Sequence, residues 1–205
     1  MARHGAAGLS LREVAREMGL VSSAIYRYFA TRDDLLTALI VDAYNDLGAA
    51  AERAARRSRA KEPRQQLQAV ATTIRHWAKA NPHEYALLYG SPVPGYQAPQ
   101  LTIEPATRVT QVLSDIITMA WRNRLTSSSG RREPTLRMSM FERAALDAVL
   151  PGVPDQIRAR ALMVWTQLFG FVSFELFGHY VGSVRNATAY YAFVVDECAA
   201  LVLPS

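Results

Sequence analysis

Apolar positions recur along this chain at intervals of three and four, the spacing of helices that bury one face. Strict apolar/polar alternation, the mark of half-buried strands, is weak throughout. Punctuation then divides the pattern into elements. Ser10-Leu11-Arg12-Glu13 has the form of a capping box, a hydroxyl accepting from a first-turn amide while the glutamate reaches back. It predicts a short helix reaching Met18 and stopped at Gly19, a residue suited to the left-handed turn after a helix. A second short helix is predicted from near Ser22 to about Phe29. Thr31-Arg32-Asp33-Asp34 opens a third, with acids at the positive end of its dipole. That helix turns Leu35, Leu36, Leu39, Ile40, Ala43 and Leu47 inward and fades in the arginine-rich stretch 53–64.

Pro63 suits the first turn of a fourth helix, reaching Ala80, and Asn81-Pro82 caps a fifth that ends at Gly90. Residues 91–99 form a proline-rich loop. Further helices are predicted over 104–124, 140–150, 154–180 and 186–203, with an exposed polar loop at 126–135. There are no internal repeats. The pattern predicts an all-α chain of two domains, 1–46 and 47–205, dividing inside the third helix.

Composition narrows the function classes. Half of the 205 residues are hydrophobic, enough for a sizeable core. The charge is +5, from 23 basic against 18 acidic residues, which favours an anionic partner such as nucleic acid or a membrane surface. The longest apolar stretch, 161–181, is interrupted by Gln167, Glu175 and His179 and reads as a buried helix, so no membrane partner is expected. A single cysteine, Cys198, forms no internal disulfide, and no Cys/His cluster has zinc spacing. With no apolar h-region behind Met1, these features predict a cytoplasmic protein. The chain carries no nucleophile elbow, phosphate loop or dinucleotide fingerprint, and no cofactor or enzymatic activity is expected.

The informative segment is N-terminal. Ala15, Gly19 and Ile25 stand in the A-x-x-x-G-x-x-x-x-x-I spacing of a helix-turn-helix. Ala15 is small where the second helix crosses, Gly19 reaches positive φ, and Ile25 fills the gap with Val14, Met18 and Leu20. Spacing alone also fits other helical hairpins. The flanking residues add Gly8-Leu9-Ser10-Leu11-Arg12-Glu13-Val14-Ala15-Arg16-Glu17-Met18-Gly19-Leu20, then Ala24-Ile25-Tyr26-Arg27-Tyr28-Phe29, then Asp34-Leu35-Leu36. Together they closely resemble the TetR (tetracycline repressor-like) family over roughly the first 45 residues.

The resemblance implies a recognition helix from Ser22 to Phe29 lying in the DNA major groove. Ser22, Ser23 and Ala24 match positions that face bases. Tyr26 matches a phosphate-contacting tyrosine and Arg32 a basic residue gripping the backbone, while Ser10 and Arg12 sit where the family touches phosphate or an adjacent base. Arg27 reads either as a base reader or as a solvated arginine. Tyr28 and Phe29 are expected to pack inward. The family also begins with a full helix that is almost entirely missing ahead of Ala2-Arg3-His4-Gly5. That predicts Leu11, Val14, Phe29, Leu36 and Leu39 to be partly uncovered, through either a misassigned start or a truncated regulator.

The larger domain carries Trp77, Tyr85, Tyr89, Trp121, Trp165, Phe169, Phe171, Phe174 and Phe177. They read either as core or as the lining of an apolar ligand pocket. The resemblance implies the second, a small-molecule effector being bound there. Trp165 to Gly170 looks like the Trp…His-Gly signature of one family subgroup, with Phe169 in place of the histidine. Leu168, Phe171, Val172, Glu175, Leu176 and His179, with Tyr191, Val194, Val195, Cys198 and Val202, fall at helical spacing. They read either as a four-helix dimer face, Gly170 and Gly178 allowing close approach, or as monomer core. Glu175 and His179, four apart, read as a hydrogen-bonded or interface pair rather than a metal site, since no third ligand is in view.

The expectation is an all-α homodimeric repressor that reads a pseudo-palindromic operator and is released by a small apolar or aromatic molecule. The alternative is a helical ligand-binding or interaction module that lost DNA binding through N-terminal truncation.

Overall fold

The computed structural model describes residues 10–17, 19, 21–123 and 139–204. Among these, the regular elements are helical: α1 (Leu11–Glu17), α2 (Ser22–Ile25), α3 (Arg32–Ser58), α4 (Pro63–Ala80), α5 (Pro82–Tyr89), α6 (Ile103–Arg122), α7 (Met140–Val149), α8 (Asp155–Leu176) and α9 (Ala187–Val202), with a 3-10 turn at Gln100–Thr102. Met18, Leu20, the 126–135 loop and the side chain of Ser22, all singled out above, lie outside the described residues. No described helix is long and apolar enough to cross a membrane.

Local chemistry fixes the helix starts. At α3, the Thr31 amide donates to the Asp34 carboxylate at 2.9 Å while the Asp34 amide donates to Thr31 Oγ1 at 3.1 Å, a reciprocal cap. Ser139 and Glu142 do the same for α7. Asn186 Oδ1 accepts from the Ala189 amide at the start of α9. Pro63 and Pro82 each occupy a first turn, where a missing N–H costs nothing. Asn81 departs from expectation. Its side chain does not cap α5 but donates to the Trp77 carbonyl at 2.9 Å, satisfying the end of α4.

The chain forms two compact units. The first comprises residues 1–49 and 77–108, the second 50–76 and 109–205. Residues 77–108, the end of α4 with α5 and its following loop, join residues 1–49 in the first.

In the first unit, Leu11, Ala15, Ile25, Leu35 and Leu36 form a buried cluster, with Val14, Phe29, Leu39, Leu87, Val93 and Tyr96 packed against it. This revises the expectation of an uncovered apolar face. Leu11 and Leu36 are buried, and Val14, Phe29 and Leu39 are half-buried, because α5 and the loop after it supply Leu87, Val93 and Tyr96. Full burial of one such leucine contributes roughly 2 kcal/mol. Polar contacts pin the same elements: Thr37 to the Tyr96 hydroxyl at 2.8 Å, and the Trp77 indole N–H to Asp46 Oδ2 at 2.6 Å. Arg108 donates to the Asn45 side-chain oxygen at 2.8 Å, and a Cβ on Gly48 would meet its side chain at 2.8 Å. Glycine at 48 therefore permits α6 to lie close to α3.

The second unit is built on α4, α6, α8 and α9. Leu67, Val70 and Ile74 of α4 are fully buried in it, with Val109 of α6, Leu168 and Val172 of α8, and Val195 and Val202 of α9 close to or at complete burial. The Tyr191 hydroxyl, inside this core, donates to the Ala71 carbonyl at 3.0 Å.

Candidate nucleic-acid interface and ligand cavity

The N-terminal motif folds as its residue types require. Ala15 is fully buried and Ile25 nearly so, both within the apolar cluster that α1 and α2 share. Gly19 has φ 68°, the left-handed value that a side chain resists, and its N–H donates to the Arg16 carbonyl at 3.1 Å. The second helix is shorter than expected. α2 proper ends at Ile25, and the chain continues through Phe29 by turn hydrogen bonds: Arg27 to Ala24, Tyr28 to Ile25 and Phe29 to Ile25.

With Leu11, Ala15 and Ile25 turned inward, the opposite face points to solvent. Ser10, Arg12, Ser23, Tyr26 and Arg27 are exposed, while Ala24 and Arg32 are half-buried. Arg32 lies 3.8 Å from Asp33 and Arg16 3.5 Å from Glu13, whereas Arg12 and Arg27 form no ion pair with a described residue. Tyr28 corrects the sequence reading. It is 79% exposed rather than packed, because the turn at Arg27–Phe29 spends its one inward position on Phe29. The result is an exposed set of hydroxyls, phenols and guanidinium groups, the donor set that binds phosphate oxygens and base edges. Residues 1–32 carry five arginines against two glutamates, so the segment as a sequence is net positive.

The C-terminal helices invert the expected assignment of faces. Leu168, Val172, Tyr191, Val195 and Cys198, offered as dimer contacts, are at most 2% exposed in the single chain. They form the protomer's own core and are not available to a partner. Cys198 is buried as a thiol, and burial pushes its pKa up to about 11. The solvent-facing side of the same helices carries Met163, Phe174, Tyr190, Phe193 and Leu201 instead, with Phe177 exposed just past the end of α8. Gly170 has open space around it. Gly178 does not mediate helix approach; at φ 81° it lies in the turn that follows α8.

Glu175 and His179 do not pair. α8 stops at Leu176, so His179 leaves the helical register, is exposed, and packs its ring on Phe174 at 4.9 Å. Glu175 turns the other way and accepts two hydrogen bonds from Arg75, Nε and one terminal nitrogen both at 2.6 Å. Arg75 also donates to Thr188 Oγ1 at 3.2 Å and lies 5.5 Å over the Tyr191 ring. The sequence reading overlooked Arg75. The signal was present: it sits on the face of α4 that carries Ala71, Ile74 and Ala78, where a buried arginine requires a carboxylate. Among the described residues, no group of three or more His, Cys, Asp or Glu is placed to hold a metal ion.

The aromatic set divides between the units. Trp77, Tyr85 and Tyr89 belong to the first, where Tyr85 is fully buried and its ring lies tilted against that of Tyr89 with centroids 5.0 Å apart. Trp121, Trp165, Phe169 and Phe174 belong to the second. Trp121 donates its indole N–H to the Val202 carbonyl at 2.7 Å, Phe169 is buried against Trp165 at 4.3 Å, and Phe174 is half-exposed. Trp165 lines a cavity of about 220 Å3 in the second unit, among α4, α6, α7 and α8. Its walls are mainly aliphatic, with Thr110 and Ser114 of α6 and Arg158 of α8 as the polar members.

A glycine-turned helix pair with an exposed basic and hydroxyl surface, carried by a chain whose other unit is a helical body with an apolar cavity, defines a helix-turn-helix regulator. Comparison with known proteins gives the family. The model for bacterial regulatory proteins of the tetR family matches residues 1–39, and that for the tetracyclin repressor-like C-terminal domain matches residues 67–198. The HTH-type transcriptional regulators Mb1846 of Mycobacterium bovis and Rv1816 of Mycobacterium tuberculosis are each 43% identical to this chain over 181 residues, covering 86% of it and 76% of their own length. The solved structure of SCO4313 superposes with a TM-score of 0.74 at 30% identity, over 97% of this chain and 89% of that one. PfmR of Thermus thermophilus, a TetR family transcriptional regulator, shares the fold at 18% identity, with a TM-score of 0.58 over 95% of this chain and 91% of its own. The chain belongs to the TetR family of bacterial transcriptional regulators. It is a DNA-binding regulator and not an enzyme.

Proposed function

We propose that this regulator is a homodimeric repressor whose N-terminal surface reads a pseudo-palindromic operator and whose second unit releases it on binding a small molecule. The observation carrying this reading is the exposed set Ser10, Arg12, Ser23, Tyr26 and Arg27 on one face of a helix-turn-helix whose other face is buried. In the proposed complex α2 enters the major groove. Ser23 and Ala24, with Ser22, approach base edges. Tyr26, Arg32, Ser10 and Arg12 take phosphates, and Arg27 reads a base or the backbone beside it.

Dimerisation follows from the apolar surface left on α8 and α9. Met163, Phe174, Phe193 and Leu201, with Phe177 just past the end of α8, are too many large apolar side chains on and beside two adjacent helices for solvent to cover without cost. Paired with a second copy, the two helices make a four-helix interface, and the open surroundings of Gly170 allow the backbones to approach there. The dimer presents two reading heads to successive major grooves.

Fluorescence anisotropy with the DNA upstream of the protein's own coding region, against random DNA of the same length, tests the proposal. Specific, salt-dependent binding by a dimer is the expected result. Equal binding to both DNAs, or none, contradicts it.

A further inference from the structure

The cavity of the second unit has chemistry that selects among small molecules. Leu67, Leu113, Ile117, Leu146 and Trp165 make it apolar. Its one charged member among the described residues is already committed: the Arg158 Nε donates to the Leu150 carbonyl at 3.2 Å, one terminal nitrogen to Asp155 Oδ1 at 3.0 Å and the other to Asp147 Oδ1. Two carboxylates compensate the guanidinium, so the described wall offers no uncompensated cation to an anionic guest. An unpaired carboxylate moved into such a space loses hydration that nothing restores.

The hydroxyls on α6 are the opposite case. Ser114 lines the cavity, is 5% exposed, and forms no hydrogen bond with a described residue. Thr110, one turn earlier on the same face, lines it too and has no such bond either. Thr110 is half-buried and both hydroxyls line the cavity space, so neither is spent on a described protein group and both are available to bond a guest, where the aliphatic wall offers nothing polar. Size sets the remaining limit. A dry cavity of about 150 Å3 holds benzene, so 220 Å3 accommodates one ring with one or two small substituents.

We propose that this cavity binds a small neutral monocyclic molecule carrying one hydrogen-bonding group, held by the Ser114 and Thr110 hydroxyls, and that it rejects the corresponding anion. The proposal rests on the reading of the second unit as the effector-binding part, and it names the class of effector and the residues that select it.

Three probes of nearly one shape test it by calorimetric titration: toluene, 4-methylphenol and 4-methylbenzoate. 4-Methylphenol binds about tenfold tighter than toluene, the worth of one net hydrogen bond of roughly 1.4 kcal/mol, and 4-methylbenzoate binds weakest. Ser114→Ala, with Thr110→Val as the second variant, brings 4-methylphenol down to the toluene level while toluene binding is kept. Ala161→Phe, which fills the cavity, abolishes binding of all three. Tightest binding by 4-methylbenzoate, an unchanged phenol-to-toluene ratio in both hydroxyl variants, or no binding by any probe overturns the proposal. Operator release is scored separately on the same samples. Selective binding without release upholds the cavity assignment and contradicts the effector-release reading. Release by a compound that still binds the Ala161→Phe protein upholds release and overturns this cavity as its site.

Discussion

The guanidinium of Arg75 on α4 and the carboxylate of Glu175 on α8 meet face to face, two hydrogen bonds of 2.6 Å each, with side-chain exposures of 4% and 12%. The pair holds the last turn of α8 to α4, and its hydrogen bond to Glu175 raises the Arg75 pKa above the ordinary arginine value. Breaking one side of such a pair leaves a buried charge. Glu175→Leu and Arg75→Met each lower the unfolding free energy by about 3–5 kcal/mol, whereas the double variant is close to neutral, because shape is kept and no charge remains. Chemical denaturation of the three variants, read as a double-mutant cycle, checks this.

Thr118 offers the converse case. Its hydroxyl, on α6 within the second unit, is buried with no hydrogen-bond partner among the described residues. Thr118→Val replaces that hydroxyl with a methyl of similar shape and raises stability by roughly 1 kcal/mol. A fall in the thermal midpoint would show the hydroxyl to be satisfied.

Cys198 titrates in the alkaline range. Desolvation by burial lifts its thiol from an ordinary 9.0 to about 11, so the folded state keeps the proton that the unfolded chain releases. Its contribution to stability is complete below pH about 9 and is lost as pH rises toward about 11. Between those values the thermal midpoint falls in the native protein and falls less steeply in Cys198→Val. Burial also predicts that a thiol reagent labels Cys198 only upon unfolding.

Which face of α8 and α9 meets a second copy is open to a direct contrast. Phe174→Arg together with Phe193→Arg changes exposed residues and yields a folded monomer with weakened operator binding. Leu168→Ala changes a fully buried residue and costs about 2–5 kcal/mol of stability without altering the association state. Sedimentation velocity with circular dichroism separates the two. A dimer surviving both arginines would move the interface elsewhere.

These contrasts show where residue order sufficed and where it did not. The helix breaks were legible because each has a local cause: Gly19 at positive φ, Pro63 and Pro82 in first turns, Thr31 and Asp34 at a reciprocal cap. The helix-turn-helix was legible for the same reason, since Ala15, Gly19 and Ile25 act within one short segment. The faces of α8 and α9 were not. Both helices are apolar on more than one side, and Leu168 and Phe174 look alike until a neighbour buries one of them. Glu175 looked like a partner for His179 because a helix through residue 180 would align them; the end of α8 at Leu176 and an arginine 100 residues away decide otherwise. Tyr28 likewise depends on how tightly the chain turns after Ile25.

The central claim, that the exposed face of the N-terminal motif is the DNA-reading surface, is tested most directly by salt-titrated anisotropy on upstream DNA, comparing the native protein with Arg12→Ala and Tyr26→Phe/Arg27→Ala. Each is an exposed position, so the fold is retained. The account predicts that Arg12→Ala weakens binding to specific and random DNA alike and reduces the logarithmic salt slope by about one per phosphate contact removed. It predicts that the double variant weakens specific binding by about 1–3 kcal/mol if Arg27 takes a base edge. Native affinity and an unchanged salt slope in both variants would contradict the account and place the DNA contacts on another surface.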